Sequence, residues 1–202
     1  MLPSYELSSL ITRLARRAPA EEDAATTQRQ AAVAAILRAP EAGGDAEILL
    51  IQRAEREGDP WSGHMAFPGG RRDAGDATLL ATAIRETREE VGLDLAEQGA
   101  LLTRLPDVRA VARGKLVDLV IAPFVFELRA APATTALTLS PEVAEALWVP
   151  IGPMARGEIA GTYPYTYEGR SLELPCHYVS DRAVWGLTHR MLALLFEDLH
   201  GA

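Results

Sequence analysis

The sequence predicts a mixed α/β domain over residues 31–202, preceded by a short helix and linker over residues 1–30. Three observations carry that expectation. A helix with a single apolar stripe sits near the middle of the chain, between Asp76 and Gly92. A long, nearly continuous apolar run, Leu116 to Leu128, reads as a strand buried on both faces. Strand-like pairs flank Gly-containing turns on either side of these two elements.

Leu2, Leu7, Leu10, Ile11 and Leu14 space out as a short amphipathic helix ending at Arg13, Arg16 and Arg17. It lacks the continuous apolar core of a secretion signal. It either packs on the domain or serves a homodimer contact. The polar stretch Ala20 to Gln30 then reads as a linker. Ala31–Leu37 and Glu47–Arg53 form a hairpin around the Gly-rich turn Pro40–Asp45, and the charged, turn-like segment 54–66 leads into Phe67-Pro68-Gly69-Gly70. After the central helix, Leu101–Leu105 and Leu116–Leu128 are strands, with a loop from Pro106 to Lys115 carrying Asp107, Arg109, Arg113 and Lys115. Ala130 to Thr138 is an Ala/Thr/Pro connector. Ser140-Pro141-Glu142 has the cap and first-turn proline of a short helix, and Leu147–Pro150 reads as another strand. Thr162–Tyr167 and Leu172–Tyr178 make an aromatic hairpin around Glu168-Gly169-Arg170. A C-terminal helix from about Val184 to Leu199 turns Leu187, Met191, Leu194 and Leu195 to the core, with Trp185 to Thr188 packing at its start. No internal repeat and no second domain are visible.

Composition narrows the function. At 48% hydrophobic and 24% charged, 202 residues suffice for a sizeable core. A net charge of −8 argues against nucleic acid or an anionic membrane as partner, since both need clustered Lys and Arg. No run approaches the about 18 apolar residues of a membrane span. A lone cysteine, Cys176, excludes an internal disulfide framework and fits a reducing, cytoplasmic setting, where it packs as a small apolar residue.

The chemistry concentrates between Phe67 and Leu93, reading FPGGRRDAGDATLLATAIRETREEVGL. Asp76 is an expected N-cap, and Gly92 an expected left-handed stop. Leu80, Ala83, Ile84, Thr87 and Val91 line the apolar stripe. At about 100° per residue, Glu86, Glu89 and Glu90 fall in a sector turned well away from it. Three acids this close repel one another, an effect Arg85 and Arg88 offset in part. They read either as a solvated face with intrahelical ion pairs or as a site for a hard divalent cation, which takes oxygen ligands and bridges carboxylates to substrate phosphates.

In order, Gly70, Asp76, Arg85-Glu86, Glu89-Glu90 and Gly92-Leu93 resemble the signature G-x5-E-x7-R-E-U-x-E-E-x-G-U of the Nudix hydrolases, where U is bulky and apolar. The chain departs from it in carrying Asp for Glu at 76, Thr87 for an apolar residue, and one extra residue between Asp76 and Arg85. The resemblance implies an α/β/α sandwich with a mixed central sheet. It also implies Mg²⁺ or Mn²⁺ held by Glu86, Glu89 and Glu90 near the Gly70 carbonyl, with Arg85 orienting the glutamates. One of these glutamates, or Glu142, would take a proton from the attacking water; Glu142 also reads simply as a first-turn helix acid.

FPGG following Gly63, the strand end Leu-Leu-Ile-Gln-Arg53, the Ser-Pro-Glu-Val and Trp-Val-Pro segments and the late Val-Trp-Gly-Leu-Thr resemble the coenzyme A pyrophosphatase branch. Between Arg53 and Gly63, Ala-Glu-Arg-Glu-Gly-Asp-Pro-Trp-Ser departs from the Ser-rich basic stretch of that branch. The expected substrate is a small nucleoside diphosphate derivative: coenzyme A or acyl-coenzyme A, or otherwise ADP-ribose, NADH or a dinucleoside polyphosphate. A non-catalytic nucleotide sensor is the reading of another class. Arg53, Trp61, His64 and Lys115 are the candidate substrate contacts; Trp61 could equally cover the domain edge, and His64 make a local hydrogen bond.

Overall fold

Four consecutive residues of β1 explain the architecture. In this strand (Arg29–Arg38), odd-numbered Val33 and Ala35 join one apolar cluster and even-numbered Ala34 and Ile36 join another. A strand buried on both faces needs a layer on each side, and the chain supplies both. The computed structural model describes residues 4–16, 29–112, 114–129 and 136–200. In chain order after α1 (Leu7–Leu14) and β1 come β2 (Glu47–Arg53), β3 (Met65–Ala66), β4 (Gly69–Arg71), α2 (Leu79–Val91) and α3 (Leu95–Gln98). β5 (Gly99–Arg104), β6 (Val108–Ala112), β7 (Lys115–Leu128), β8 (Val143–Pro150) and α4 (Ile151–Ala155) follow. The chain closes with β9 (Ala160–Tyr167), β10 (Arg170–Val179), β11 (Arg182–Trp185) and α5 (Gly186–His200).

The main sheet is mixed. β1 and β7 run parallel at its centre, in register from Arg29 opposite Leu119 to Leu37 opposite Glu127, and every other pairing is antiparallel. β2 joins the end of β1 and pairs along its length with β8; β5 and β6 both pair with β7. On one face Leu79, Ala83 and Val91 of α2 pack over Ala32, Ala34, Ala122 and Phe124. Burying Leu79 and Val91 there is worth about 1.5–3 kcal/mol each. On the other face Leu10 and Leu14 of α1 and Met191, Leu192 and Leu195 of α5 cover Val33, Ala35, Ile121 and Val125. The result is the expected α/β/α layering with a mixed central sheet. A separate antiparallel sheet, β11-β10-β9, lies beside it and buries Cys176.

Several expectations need correction. The hairpin of β1 and β2 holds together only at Leu37–Ile48 and Arg38–Glu47, because β4 takes the edge of β1 further along, at Ala31–Val33. The stretch from Pro106 to Lys115 is not a free loop, since β6 within it pairs back on β7; Arg113 lies outside the described residues. Ser140-Pro141-Glu142 opens no helix. Ser140 Oγ accepts from the Glu142 N–H, closing a turn that feeds straight into β8. The C-terminal helix starts at Gly186, because Val184 belongs to β11, paired with His177 of β10. The N-terminal helix packs on the domain: Tyr5 Oη lies 2.6 Å from His200 Nε2, and Arg13 Nη1 donates to the Leu199 carbonyl. Most of the Ala20–Gln30 linker and of the 130–138 connector lies outside the described residues, while Arg29 and Gln30 already belong to β1.

Candidate active site

The site begins where β4 meets β1. Gly69 has φ +152°, and a Cβ there would collide with the Ala32 carbonyl and the Val33 backbone; the close fit of β4 against β1 requires glycine. A Cβ on Gly70 would instead strike the Glu86 carboxylate, so the second glycine is what admits that side chain. The loop then turns back through Asp76 into α2.

Thr78, not Asp76, caps α2: its hydroxyl accepts from the Ala81 N–H. Gly92 ends the helix at φ 75°, as expected. Asp76 has a different task. Buried, it accepts from the Asp73 N–H, from Thr82 Oγ1 at 2.9 Å, and from Arg85 Nε and Nη2 at 3.0 and 2.9 Å. These bonds, the Arg85 guanidinium foremost, hold its carboxyl well below the usual carboxylate range. Arg85 also donates to the Arg71 carbonyl and pairs through Nη1 with Glu86 at 3.0 Å and Glu89 at 3.1 Å. It is the hub that ties the loop to the helix.

The three glutamates do not share one exposed face. Glu89 is 56% exposed and turned to Arg85, outside the pocket lining. Glu86 is mostly covered, and Glu90 is buried at 4% exposure, its Oε2 accepting from the Gly69 N–H at 2.8 Å. The reason is β4: it lies against α2, so side chains pointing off the apolar stripe meet backbone rather than water. Burial pushes the Glu90 carboxyl up to about 7, against the pull of the Gly69 bond and the Arg53 charge. Burial also raises Glu86, with Arg85 opposing and Glu89 and Asp73 adding to the rise. Among the described residues, no group of three or more His, Cys, Asp or Glu side chains is arranged to hold a metal ion as it stands.

Glu86, Glu90, Gly69 and Gly70 line a cavity of about 470 Å³. Arg53, Trp61 and His64, the candidate substrate contacts, line it too, as does Glu142, the candidate base. Arg53 donates to Asp59 at 2.7 Å, and its Nε is buried without a partner. Trp61 Nε1 donates to the Val111 carbonyl, which fixes the indole against β6. His64 packs on Trp185 at 4.6 Å between ring centres, and burial lowers its pKa. Glu142 stands at the mouth, about half exposed, 3.1 Å from Arg56 Nη2. Lys115 does not reach the cavity. It is 73% exposed at the far end of β7 and faces Glu168 at 4.0 Å, because the β6–β7 turn carries it out toward the β9–β10 hairpin.

Sequence reasoning missed part of the wall. Trp185 at the end of β11 and Leu187, Thr188 and Met191 in the first turns of α5 line the cavity, as do Arg56 and Arg71. The helical spacing of the α5 residues gives the same signal whether they face a core or a cavity beside it. Glu142 was named in advance, but for its pairing with Arg56, 86 positions away, no local pattern existed to find.

The NUDIX domain family model matches residues 28–168. The Nudix hydrolase NudL of Salmonella newport is 30% identical over 192 residues, covering 92% of this chain and 91% of that protein. NudL of Klebsiella aerogenes is 38% identical over 109 residues, covering 54% of this chain and 86% of that one. A protein of Schizosaccharomyces pombe, C14C4.10c, is 42% identical over 110 residues, covering 53% of this chain, which spans only 32% of that longer protein. In fold, the chain resembles a C. elegans Ap4A hydrolase at TM-score 0.51 and 24% identity, covering 63% of this chain and 84% of the other. The Nudix hydrolase RenU of M. smegmatis gives the same TM-score and identity, over 64% and 74% of the two chains. The chain belongs to the NUDIX domain family and stands among its hydrolases.

Proposed function

We propose that this protein is a metal-dependent pyrophosphohydrolase that cleaves the diphosphate of coenzyme A or acyl-coenzyme A. The observation that carries the reading is the convergence of Glu86 and Glu90 on the Gly69–Gly70 backbone in the lining of an open cavity. Their surroundings suit Mg²⁺ or Mn²⁺. The available donors are carboxylate and carbonyl oxygens, and burial leaves two carboxylates whose charge a hard cation would match. Two such carboxylates suffice for an ion that shares its remaining positions with water and substrate phosphate. Glu86, Glu90 and the Gly70 carbonyl would hold it, with Glu89 able to join on leaving Arg85.

A cation bound there supplies neutralisation of the diphosphate charge and acidification of a nearby water. Arg85 acts on the glutamates rather than the substrate, since its donors are already spent on Asp76, Glu86, Glu89 and the Arg71 carbonyl. Glu142, or one of the helix glutamates, accepts the water proton. Water adds to one phosphorus, the bond to the bridging oxygen breaks, and the other phosphate departs. From coenzyme A the products are 3′,5′-ADP and 4′-phosphopantetheine. Arg53, Trp61 and His64 contact the bound substrate.

A second reading, hydrolysis of ADP-ribose, NADH or a dinucleoside polyphosphate, is favoured by segment 54–62. There Asp59 neutralises Arg53 instead of leaving it free for a further substrate phosphate. Incubation with Mg²⁺ or Mn²⁺ and each substrate separately, with products identified by mass, decides between them. Phosphopantetheine from coenzyme A, in excess over cleavage of the others, is the expected result. Turnover confined to the other substrates would overturn the coenzyme A preference, and no turnover by metal-loaded protein would favour a nucleotide-binding sensor.

A further inference from the structure

Two imidazoles outside the cavity lining have no part in the hydrolase reading. His177 of β10 and His189 of α5 lie side by side, ring centres 4.9 Å apart and planes inclined by 31°. Phe196 closes one side, edge-on to His177 at 6.1 Å. The neighbours of His177 across the sheet, Ala160 and Val184, carry no polar side chain. His177 is 7% exposed, and its Nδ1 is buried with no hydrogen-bond partner among the described residues. A polar atom left in that state costs about 1–3 kcal/mol, and an ion or a water is what normally relieves it.

A proton does not fill the gap near neutral pH. Burial, with the second imidazole adding to it, pushes His177 down to about 4, and burial lowers His189 as well. Both rings are then neutral, the form in which imidazole offers a lone pair to a metal. Their spacing suits one ion. A bound nitrogen lies about 2.0–2.1 Å from Zn²⁺, which sets two ring centres on one tetrahedral ion roughly 5 Å apart. His189 is only partly buried, so water has access to the remaining positions.

We propose that His177 and His189 form a binding site for Zn²⁺ or a similar imidazole-seeking cation, completed by water and separate from the glutamates. Mg²⁺ and Mn²⁺ prefer oxygen ligands, so the two places sort metals by ligand chemistry. An ion held here ties β10 to α5 next to Thr188, whose hydroxyl bonds the Met65 carbonyl in the cavity wall. It clamps the helix that walls the cavity.

Zn²⁺ is titrated into the full chain at saturating Mg²⁺, with the imidazole nitrogen resonances of its four histidines followed by NMR. His177 and His189 should shift together and reach their end point at stoichiometric Zn²⁺, while His64 and His200 stay in place. His177→Leu, which puts an apolar side chain in the buried position, should weaken Zn²⁺ binding at least about tenfold and remove the His189 shift. His189→Gln, at a partly exposed position, should do the same to His177. Zn²⁺ should raise the Tm of wild type and of neither variant. Glu86→Gln should leave the histidine shifts as they are, which separates this site from the glutamates. Shifts confined to His64 or His200, a His189 shift that survives His177→Leu, or no shift at millimolar Zn²⁺ would overturn the proposal.

Discussion

Two sets of residues around the cavity are held in opposite ways. Glu86, Glu90 and Gly69 of its lining, with Arg85 and Asp76 behind them, are joined by short polar bonds, two of them to backbone. The apolar lining side chains of β1, β7 and α5 are held by packing. Polar bonds fix direction, which chemistry on a diphosphate needs; apolar packing fixes volume, which is enough to select a substituent. Damage to the first set should therefore show in turnover or stability, and damage to the second in KM.

The largest expected effect is on turnover. Glu86→Gln and Glu90→Gln should each lower kcat by more than about a hundredfold, since altering even an outer partner of a metal ligand costs 10–100-fold. Chelation with EDTA should abolish activity, and added Mg²⁺ or Mn²⁺ restore it. Either variant retaining near wild-type kcat in a steady-state assay would sever these glutamates from the chemistry.

Next comes the Asp76–Arg85 pair. Asp76→Asn leaves Arg85 with part of its charge unmatched and should cost about 3 kcal/mol, read as a fall in Tm. The pH dependence has a definite sign. The folded state holds Asp76 ionised well below the value near 3.8 expected of the unfolded chain. Its stabilisation is thus complete above that value and is lost as pH falls through the acid range. The Tm gap between wild type and Asp76→Asn should be widest at neutral pH and narrow below about pH 4. A gap that stays constant down to pH 3 would show that the carboxylate charge is not what stabilises the loop.

Smaller effects sharpen the boundary between local structure and site. Thr78→Ala removes the cap of α2 and should cost about 1 kcal/mol in chemical denaturation with kcat little changed. Lys115→Ala, distant from the cavity, should change stability by less than about 0.5 kcal/mol. A loss of activity in that variant would mean the β6–β7 turn reaches the substrate after all.

Much of the fold was legible because it rests on periodicity. The nearly continuous apolar run of β7 announced a strand buried on both faces, and the stripe on α2 announced the layer above it. The order Gly70, Asp76, Arg85, Glu86, Glu90 was equally legible, since one loop and the single helix that follows it hold those residues close in sequence. The misreadings share one cause: tertiary partners outvoting a local pattern. Asp76 has the chemistry of a cap, but Arg85 nine residues on offers a stronger bond, leaving Thr78 the role. Ser140-Pro141 looks like a helix start, yet the chain that follows is claimed by β2 as its neighbour. Glu90 sits off the apolar stripe and is buried all the same, because β4 covers that flank. The α5 wall of the cavity carried the same pattern as ordinary core and could be told apart only once Trp185 and Thr188 were in place.

The most direct test of the account is Mn²⁺ binding by electron paramagnetic resonance, on the same samples used for turnover of coenzyme A. Wild type, Glu86→Gln, Glu90→Gln and Glu89→Gln would be compared, with thermal melts to verify folding. Glu86→Gln and Glu90→Gln should weaken Mn²⁺ binding and lose turnover in parallel while remaining folded, with Glu89→Gln less affected in binding. Wild-type Mn²⁺ affinity and turnover in both Glu86→Gln and Glu90→Gln would contradict it.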